Sequence, residues 1–330
     1  MEEGMSKAKP KVAFYWCSSC GGCEESIVDL AEDILKVVAA VDIVFWPVAL
    51  DFKKKDVEAM PDKSIAVSFI NGSVRTSEQE EMVHLLRRKS QLVVAHGACA
   101  HLGGIPGLAN FWNKDTIFRT VYQTTASTDN PDKIVPQEKS DVDGHELTLP
   151  RFWDTVHSLS QIIDVDYYLP GCAPPRDLII NAVTAILEGK LPPKGSVLAP
   201  NKSCCDDCDR NDTKPEKLTI KEIKRPWEIL LDPEKCFLAQ GVICMGPATR
   251  GGCGERCIEG NMPCRGCMGP TDQVYDQGAK FLSAFASVLD TNDEKEIERI
   301  VSTIVDPAGT FYRFSLPSSI LKRKRMEAVK

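Results

Sequence analysis

Cys17, Cys20 and Cys23 stand at three-residue intervals directly after the apolar run KVAFYW (11–16). Thiols separated by two residues can converge on one metal, so this stretch, CSSCGGC, offers two overlapping ligand pairs. It belongs to a larger set, for the chain holds fourteen cysteines in 330 residues. The N-terminus, MEEGMSKAKPKVAFYW, puts acidic residues first and a proline break at Pro10, unlike the basic-then-apolar layout of a secretory signal. No apolar stretch approaches the roughly 18 to 20 residues that cross a bilayer, and Arg87-Arg88 lies too deep to be a twin-arginine signal. The expected location is therefore the cytoplasm. In a reducing compartment disulfides are a poor account of so many thiols, and metal binding is the better one.

The first 190 residues read as alternating strands and helices. KVAFYW (11–16) and VDIVFWPVAL (41–50) are apolar, β-branched and aromatic, as buried parallel strands are. Between them EESIVDLAEDILKVVAAV places Ile27, Leu30, Ile34 and Val38 on one helical face, which completes a βαβ unit. Further strands are expected over 64–74, with a turn at Asn71-Gly72, over 91–100 and near 164–170. SEQEEMVHLLRRK reads as a helix with a capping box of Ser77 and Glu80, and DLIINAVTAILEGK (177–190) as a helix closed by Gly189. Each cysteine site of this half follows a strand end. In an open parallel sheet that carboxyl edge is where ligands bind, so three loops remote in sequence can meet there.

GKLPPKGSVLAPNKS (189–203) marks a boundary rich in Pro, Gly and Ser, giving domains of 1–190 and 191–330. Beyond it, 204–270 has little periodicity but carries Cys204, Cys205, Cys208, Cys236, Cys244, Cys253, Cys257, Cys264 and Cys267. Metal–thiolate bonds can supply the cohesion that regular structure does not. CGERCIEGNMPCRGC (253–267) suits one four-ligand site; CDDC (205–208) with Cys236 and Cys244 suits a second. Four thiolates serve zinc or an iron–sulfur cluster equally well at this level. The chain ends in helices at 272–290 and 293–305.

Several features have ordinary readings. His96 and His101 flank Cys99 and are expected to pack or hydrogen-bond there rather than ligate; His84, which lies on a predicted helix, His145 and His157 are expected to be ordinary. Glu24 and Glu25 open a helix, where carboxylates favour the positive dipole end; a proton relay beside a metal is the sharper alternative. A net charge of −7 argues against a nucleic-acid surface, and LKRKR (321–325) reads as a solvated basic tail.

Taken together, CGGCEES (20–26), GACAHLGG (97–104), GCAPP (171–175), CMGP (244–247) and MPCRGC (262–267) resemble the small subunit of nickel–iron hydrogenases, most closely the methyl-viologen-reducing type of methanogens and related archaea. The resemblance covers about 11–270. It implies a flavodoxin-like α/β domain, a doubly wound parallel sheet, followed by a smaller irregular cluster domain with C-terminal helices. It also implies three [4Fe–4S] clusters: a proximal one on Cys20, Cys23, Cys99 and Cys172, a distal one on Cys205, Cys208, Cys236 and Cys244, and a medial one on Cys253, Cys257, Cys264 and Cys267. Cys17 and Cys204 are then spare, with the choice between adjacent Cys204 and Cys205 left open. Better-known periplasmic members have histidine at the position of Cys205 and often proline at that of Cys257. A thiolate in place of imidazole should lower the distal potential.

The implied partners are a large subunit carrying nickel and iron, a [2Fe–2S] protein and heterodisulfide reductase, with no catalytic residue on this chain. Two alternatives remain at this level. A relay subunit of a complex-I-like or membrane-bound hydrogenase assembly shares the first domain but uses two adjacent cysteines in the first motif. A zinc-stabilised scaffold would hold metal without sulfide. A flavodoxin binding FMN is disfavoured because the first loop lacks a Ser/Thr-rich phosphate cradle.

Overall fold

The computed structural model describes residues 9–322; Arg323, Lys324 and Arg325 of the basic run lie outside the described residues. Strands β1 (Lys11–Trp16), β2 (Asp42–Phe45), β3 (Ile65–Asn71), β5 (Ser90–His96) and β9 (Tyr167–Leu169) form one parallel sheet in the order β2-β1-β3-β5-β9. Among these five the order is 2-1-3-4-5, the doubly wound flavodoxin-like arrangement, and the chain reverses direction across the sheet between β1 and β3. The apolar runs bury on both faces, as a parallel sheet covered by helices requires. Met82, Val83, Leu85 and Leu86 of helix Ser77–Lys89 cover one face. Ile27, Leu30, Leu178, Ile179 and Ala182 cover the other.

A short β4 (Val74–Thr76) pairs antiparallel with β8 (Phe152–His157), and β6 (Lys139–Val142) with β7 (His145–Thr148) makes an exposed hairpin. Residues 204–270 hold only single turns of helix, as their weak periodicity implied. The helices Gln277–Ala286 and Glu294–Ser302 follow, and Phe237, Phe281, Phe285, Ile300, Phe311 and Leu316 build a third core. The two halves of the chain touch closely. A Cβ on Gly103 would lie 2.2 Å from the Pro317 ring, and one on Gly269 would lie 2.7 Å from Leu102. No helix among the described residues is long and apolar enough to cross a membrane.

The structure departs from local expectation in four places. The long first helix is two, Gly22–Val28 and Asp33–Ala40, broken where Ala31 adopts a φ of 53°. That break turns the second helix, so Leu30 is buried while Val38 is exposed. The capping box lies one residue earlier than Ser77 and Glu80: Thr76 accepts from the Gln79 N–H, and Gln79 accepts from the Thr76 N–H. Thr76 still has extended backbone, whereas Ser77 is already helical. The strand expected over 41–50 stops at Phe45. The loop after β5 is instead a short helix, Ala98–Leu102, that carries Cys99.

Asp166 ties β9 to its surroundings by accepting from the Val93 N–H and pairing with Arg87 and Lys194. Burial pushes its carboxyl up, but the bonds from Lys194, Arg87 and the Val93 N–H outweigh that and hold it below its ordinary range. A carboxylate depressed in the folded state stabilises above its unfolded pKa, about 4, and loses that contribution as pH falls through the lower folded value. Water screens the Lys194 side of this network, which reduces what the ion pairs contribute. Asp166→Asn is therefore expected to cost on the order of 1 kcal/mol at pH 7, with the gap narrowing below about pH 4. Thermal unfolding of both proteins across that range checks it.

Candidate metal centres

The end of β1 decides where the first thiols point. Cys17 donates its N–H to Asn71 O at 2.8 Å, and Ser18 and Ser73 exchange both backbone bonds. This pins Cys17 inward, where it packs in the core with Ile70, Val74 and Leu159. Burial is what pushes its thiol up, and no other thiol contributes. Beyond this anchor Gly21, with a φ of 86°, turns the chain against the Trp16 ring and starts the helix that carries Cys23.

Cys23 meets thiols from the ends of β5 and β9. Burial, then the facing Cys99, Cys172 and Cys20, push Cys23 well above the ordinary thiol range. Burial, then Cys172 and Cys20, push Cys99 up to about 12. Close packing of backbone makes this meeting possible: a Cβ on Gly97 would lie 2.3 Å from Cys23 Sγ, and one on Gly104 would lie 2.4 Å from Cys99 Sγ. Cys20 and Cys172 are exposed, while Cys23 and Cys99 are buried. The group thus opens to the surface on one side.

Around this group the polar residues are structural. His96 Nε2 lies 3.1 Å from Cys23 O, and burial takes the ring down to about 4, so it is neutral at pH 7. His101 stacks against Tyr168 with ring centroids 4.7 Å apart, and burial with the nearby Arg250 charge lowers it to about 3. His84 and His145 are exposed. Glu24 caps nothing; its carboxylate is buried and accepts from Trp46 Nε1 and Asn71 Nδ2, while Glu25 is exposed. Helix-start position suggested dipole stabilisation, but the 3.6-residue turn directs Glu24 toward the sheet.

Cys205, Cys208, Cys236 and Cys244 line one small cavity with Arg210, Lys214 and Phe237. Burial pushes Cys205 up to about 11 against the pull of the Lys214 charge, with Cys236 and Cys208 adding to the rise. Gly246 keeps the space open, since its Cβ would stand 3.1 Å from Cys205 Sγ. Cys253, Cys257, Cys264 and Cys267 line a second cavity of about 130 Å³, and Cys204 and Cys172 also border it. Cys204 and Cys205 are adjacent in sequence yet serve different cavities. They open the helix Cys204–Asp207, and neighbouring residues on a helix point about 100° apart.

The three thiol groups are joined in a row. Cys172 borders the cavity lined by Cys253, Cys257, Cys264 and Cys267, so the first group adjoins the 253–267 group. The Met245 N–H, next to Cys244, donates to Cys264 O at 3.0 Å, so that group adjoins the 205–244 group. Backbone N–H groups nearby favour the charged form of several thiols: Ile105 for Cys99, Arg210 for Cys208, Glu255 for Cys253 and Gly266 for Cys264. Thr249, buried and unremarkable in the sequence, borders the cavity beside Cys264 and donates its hydroxyl to Met245 O at 2.6 Å. Crowded thiolates with amide donors aimed at them suit a compact cationic iron–sulfide core, whose charge offsets the repulsion that otherwise keeps them protonated. The residues present fit such a group.

A parallel sheet with thiols on its carboxyl edge and a thiol-rich extension is the build of a redox small subunit. The family model described as NADH ubiquinone oxidoreductase, 20 Kd subunit, matches residues 20–186. Over nearly the whole length the chain is 41% identical to the iron-sulfur subunit of the F420-non-reducing hydrogenase of Archaeoglobus profundus, covering 95% of this chain and 98% of that one. It is 36% identical to the corresponding F420-non-reducing hydrogenase subunit of Methanothermobacter marburgensis, covering 96% and 97%. The [NiFeSe] hydrogenase of Desulfovibrio vulgaris Hildenborough shares the fold, with a TM-score of 0.51 at 19% identity over 80% of this chain and 95% of that chain. The chain belongs to the small-subunit family of nickel–iron hydrogenases, in the branch of the F420-non-reducing enzymes, and works in electron transfer. The complex-I-like reading accounts for the shared first half alone.

Gly97→Ala is expected to drive Cys23 out of its group, because no rotation of a Cβ removes a 2.3 Å contact. Iron analysis of the purified complex should show less iron per chain than in the parent, with the other two thiol groups unaffected.

Proposed function

We propose that this chain relays electrons from dihydrogen oxidation on a nickel–iron large subunit, through three [4Fe–4S] clusters, to a [2Fe–2S] partner and heterodisulfide reductase in the cytoplasm. The proximal set is Cys20, Cys23, Cys99 and Cys172; the medial set is Cys253, Cys257, Cys264 and Cys267; the distal set is Cys205, Cys208, Cys236 and Cys244. The first belongs to a domain of residues 1–190 and the other two to a domain of residues 191–330. The clusters supply the one-electron redox change, and the protein supplies positioning and tuning.

One observation carries this reading: neighbouring groups adjoin, for Cys172 borders the cavity of Cys253, Cys257, Cys264 and Cys267, and the Met245 N–H beside Cys244 donates to Cys264 O at 3.0 Å. A row joined at two such places has two ends, as a relay needs. The end at Cys20 and Cys172 is exposed, beside exposed Trp16 and Ile105, and suits the large subunit. At the other end Lys214 and Arg210 stand beside Cys205 and Cys208, and exposed Trp227 and Leu230 follow in the chain. The chain's part in each transfer is to exclude water from the buried sulfurs and to hold amide dipoles on them, so that little reorganises when charge changes.

Metal and acid-labile sulfide analysis of the anaerobically purified complex tests the reading. Iron and sulfide near twelve each per copy, after the partners' share is subtracted, are expected for three cubes; zinc with little sulfide would sink it. Cys23→Ser should remove the proximal cluster, whereas Cys17→Ser should leave cluster content nearly intact. Cys205→Ser should slow reduction of the acceptor while the large subunit stays assembled; if Cys204→Ser does this instead, Cys204 is the ligand.

A further inference from the structure

Residues 112–155 leave the first domain and return to it without one buried residue. Local polar bonds hold the segment in shape: Asn130 accepts from the Ile134 N–H at 3.0 Å and donates to Tyr122 O at 2.7 Å. Its far end is the β6–β7 hairpin, turned at Asp143 and Gly144 with φ of 55° and 80°. Two positive φ values in a row are what a tight two-residue hairpin turn takes.

The hairpin is amphipathic. Ser140 stands opposite Leu147 and Val142 opposite His145, and the Leu149 N–H donates to Glu138 O. Opposed residues share a face, as do alternate residues along a strand, so Val142, Leu147 and Leu149 lie on one face. Lys139, Asp141 and Glu146 lie on the other, where Lys139 pairs with Glu146 at 3.1 Å. The apolar face is uncovered: Val142, Leu147 and Leu149 are 49%, 54% and 55% exposed. Among the described residues β6 and β7 pair only with each other. A lone two-stranded hairpin is marginal in water, so an apolar face of this kind calls for a surface to lie on.

The roots of the arm point to that surface. The outgoing root, the 3₁₀ helix Ile105–Phe111, follows Gly104, whose Cβ would stand 2.4 Å from Cys99 Sγ. The returning root, β8, pairs with β4, and Ser73 just before β4 exchanges backbone bonds with Ser18 in the loop of Cys20. Asn110 locks the two roots together, accepting from the Val156 N–H at 2.8 Å and donating to Val156 O at 2.9 Å. Both roots therefore border the first thiol group, where Cys20, Cys172 and Ile105 are exposed.

We propose that residues 112–155 form a clasp for the nickel–iron large subunit, with the Val142, Leu147 and Leu149 face of the hairpin laid on an apolar strip of that partner. This rests on the placing of the large subunit over Cys20 and Cys172. A body seated over that opening adjoins both roots of the arm, whereas an acceptor docked at the opposite end of the row of thiol groups does not.

Photo-crosslinking in the purified complex tests the clasp. The photoreactive residue p-benzoylphenylalanine is placed singly at Leu147, at Glu146 on the charged face, and at Ile105 beside the thiol opening, and crosslinked chains are identified by mass spectrometry. The probes at Leu147 and Ile105 should both capture the large subunit, and the probe at Glu146 should not. Capture at Ile105 without capture at Leu147 would overturn the clasp and leave the placing of the large subunit intact. Capture at neither position would remove that placing, and the clasp with it. A Leu147 crosslink to a second copy of this chain or to the acceptor, or equal capture from Leu147 and Glu146, would also overturn the proposal. The double variant Val142→Asp with Leu147→Asp should lower recovery of the large subunit on a tagged copy of this chain about tenfold. Asp141→Asn with Glu146→Gln, on the other face, should leave recovery at the parent level, and equal loss in the two would count against the apolar face. The crosslinks are read without charging that face, so they decide the matter even if the aspartate variant is unstable.

Discussion

Mutual repulsion among buried thiolates is the constraint on which this structure turns. Packing four sulfurs into a water-poor pocket penalises their charged form twice, through desolvation and through each other's charge. Cys23 and Cys99 show both effects. Such a pocket is stable with neutral thiols or with a cationic centre, and amides aimed at the sulfurs tilt the balance toward the second. The fold answers this demand three times in one chain. At the sheet edge it uses strand ends and glycines; beyond residue 203 it uses single helical turns that have little cohesion of their own.

The same glycines that permit convergence also bring the groups close to one another. Gly97 and Gly104 remove the atoms that would hold the β5 loop away from Cys23 and Cys99. Gly171 lets the β9 loop fold back on Pro174, so that Cys172 borders the cavity that Cys267 lines. Buried neutral His96 and His101 and the hydrogen-bonded Glu24 stiffen the surroundings without adding mobile charge.

Much of the fold is legible in the residues. Strand β1 matches KVAFYW end to end, because a short apolar run bounded by Pro10 and a cysteine-glycine turn has few other ways to bury itself. Helix Arg176–Glu188 ends at Gly189 in left-handed conformation, as its C-terminal glycine implies. Hydrophobic spacing alone does not reveal the break at Ala31 that divides the first helix. The capping box is displaced by one residue for a similar reason: TSEQE offers two overlapping candidates, and the extended backbone of Thr76 chooses between them.

The supply of thiols, their local spacing and their position after strand ends depend only on neighbours along the chain, and all three can be read from the residues in order. So can the resemblance to hydrogenase small subunits. Which thiols meet is a matter of the folded molecule. Cys17 turns inward because its backbone is pinned to Asn71 and its neighbour Ser18 to Ser73, far away in sequence. Cys204 and Cys205 part company because a helical turn sends adjacent side chains about 100° apart toward two different cavities. Glu24 finds Trp46 and Asn71 across the sheet. Spacing along a chain limits how far a side chain can reach, but its direction is set by what packs against the backbone, and that packing is non-local.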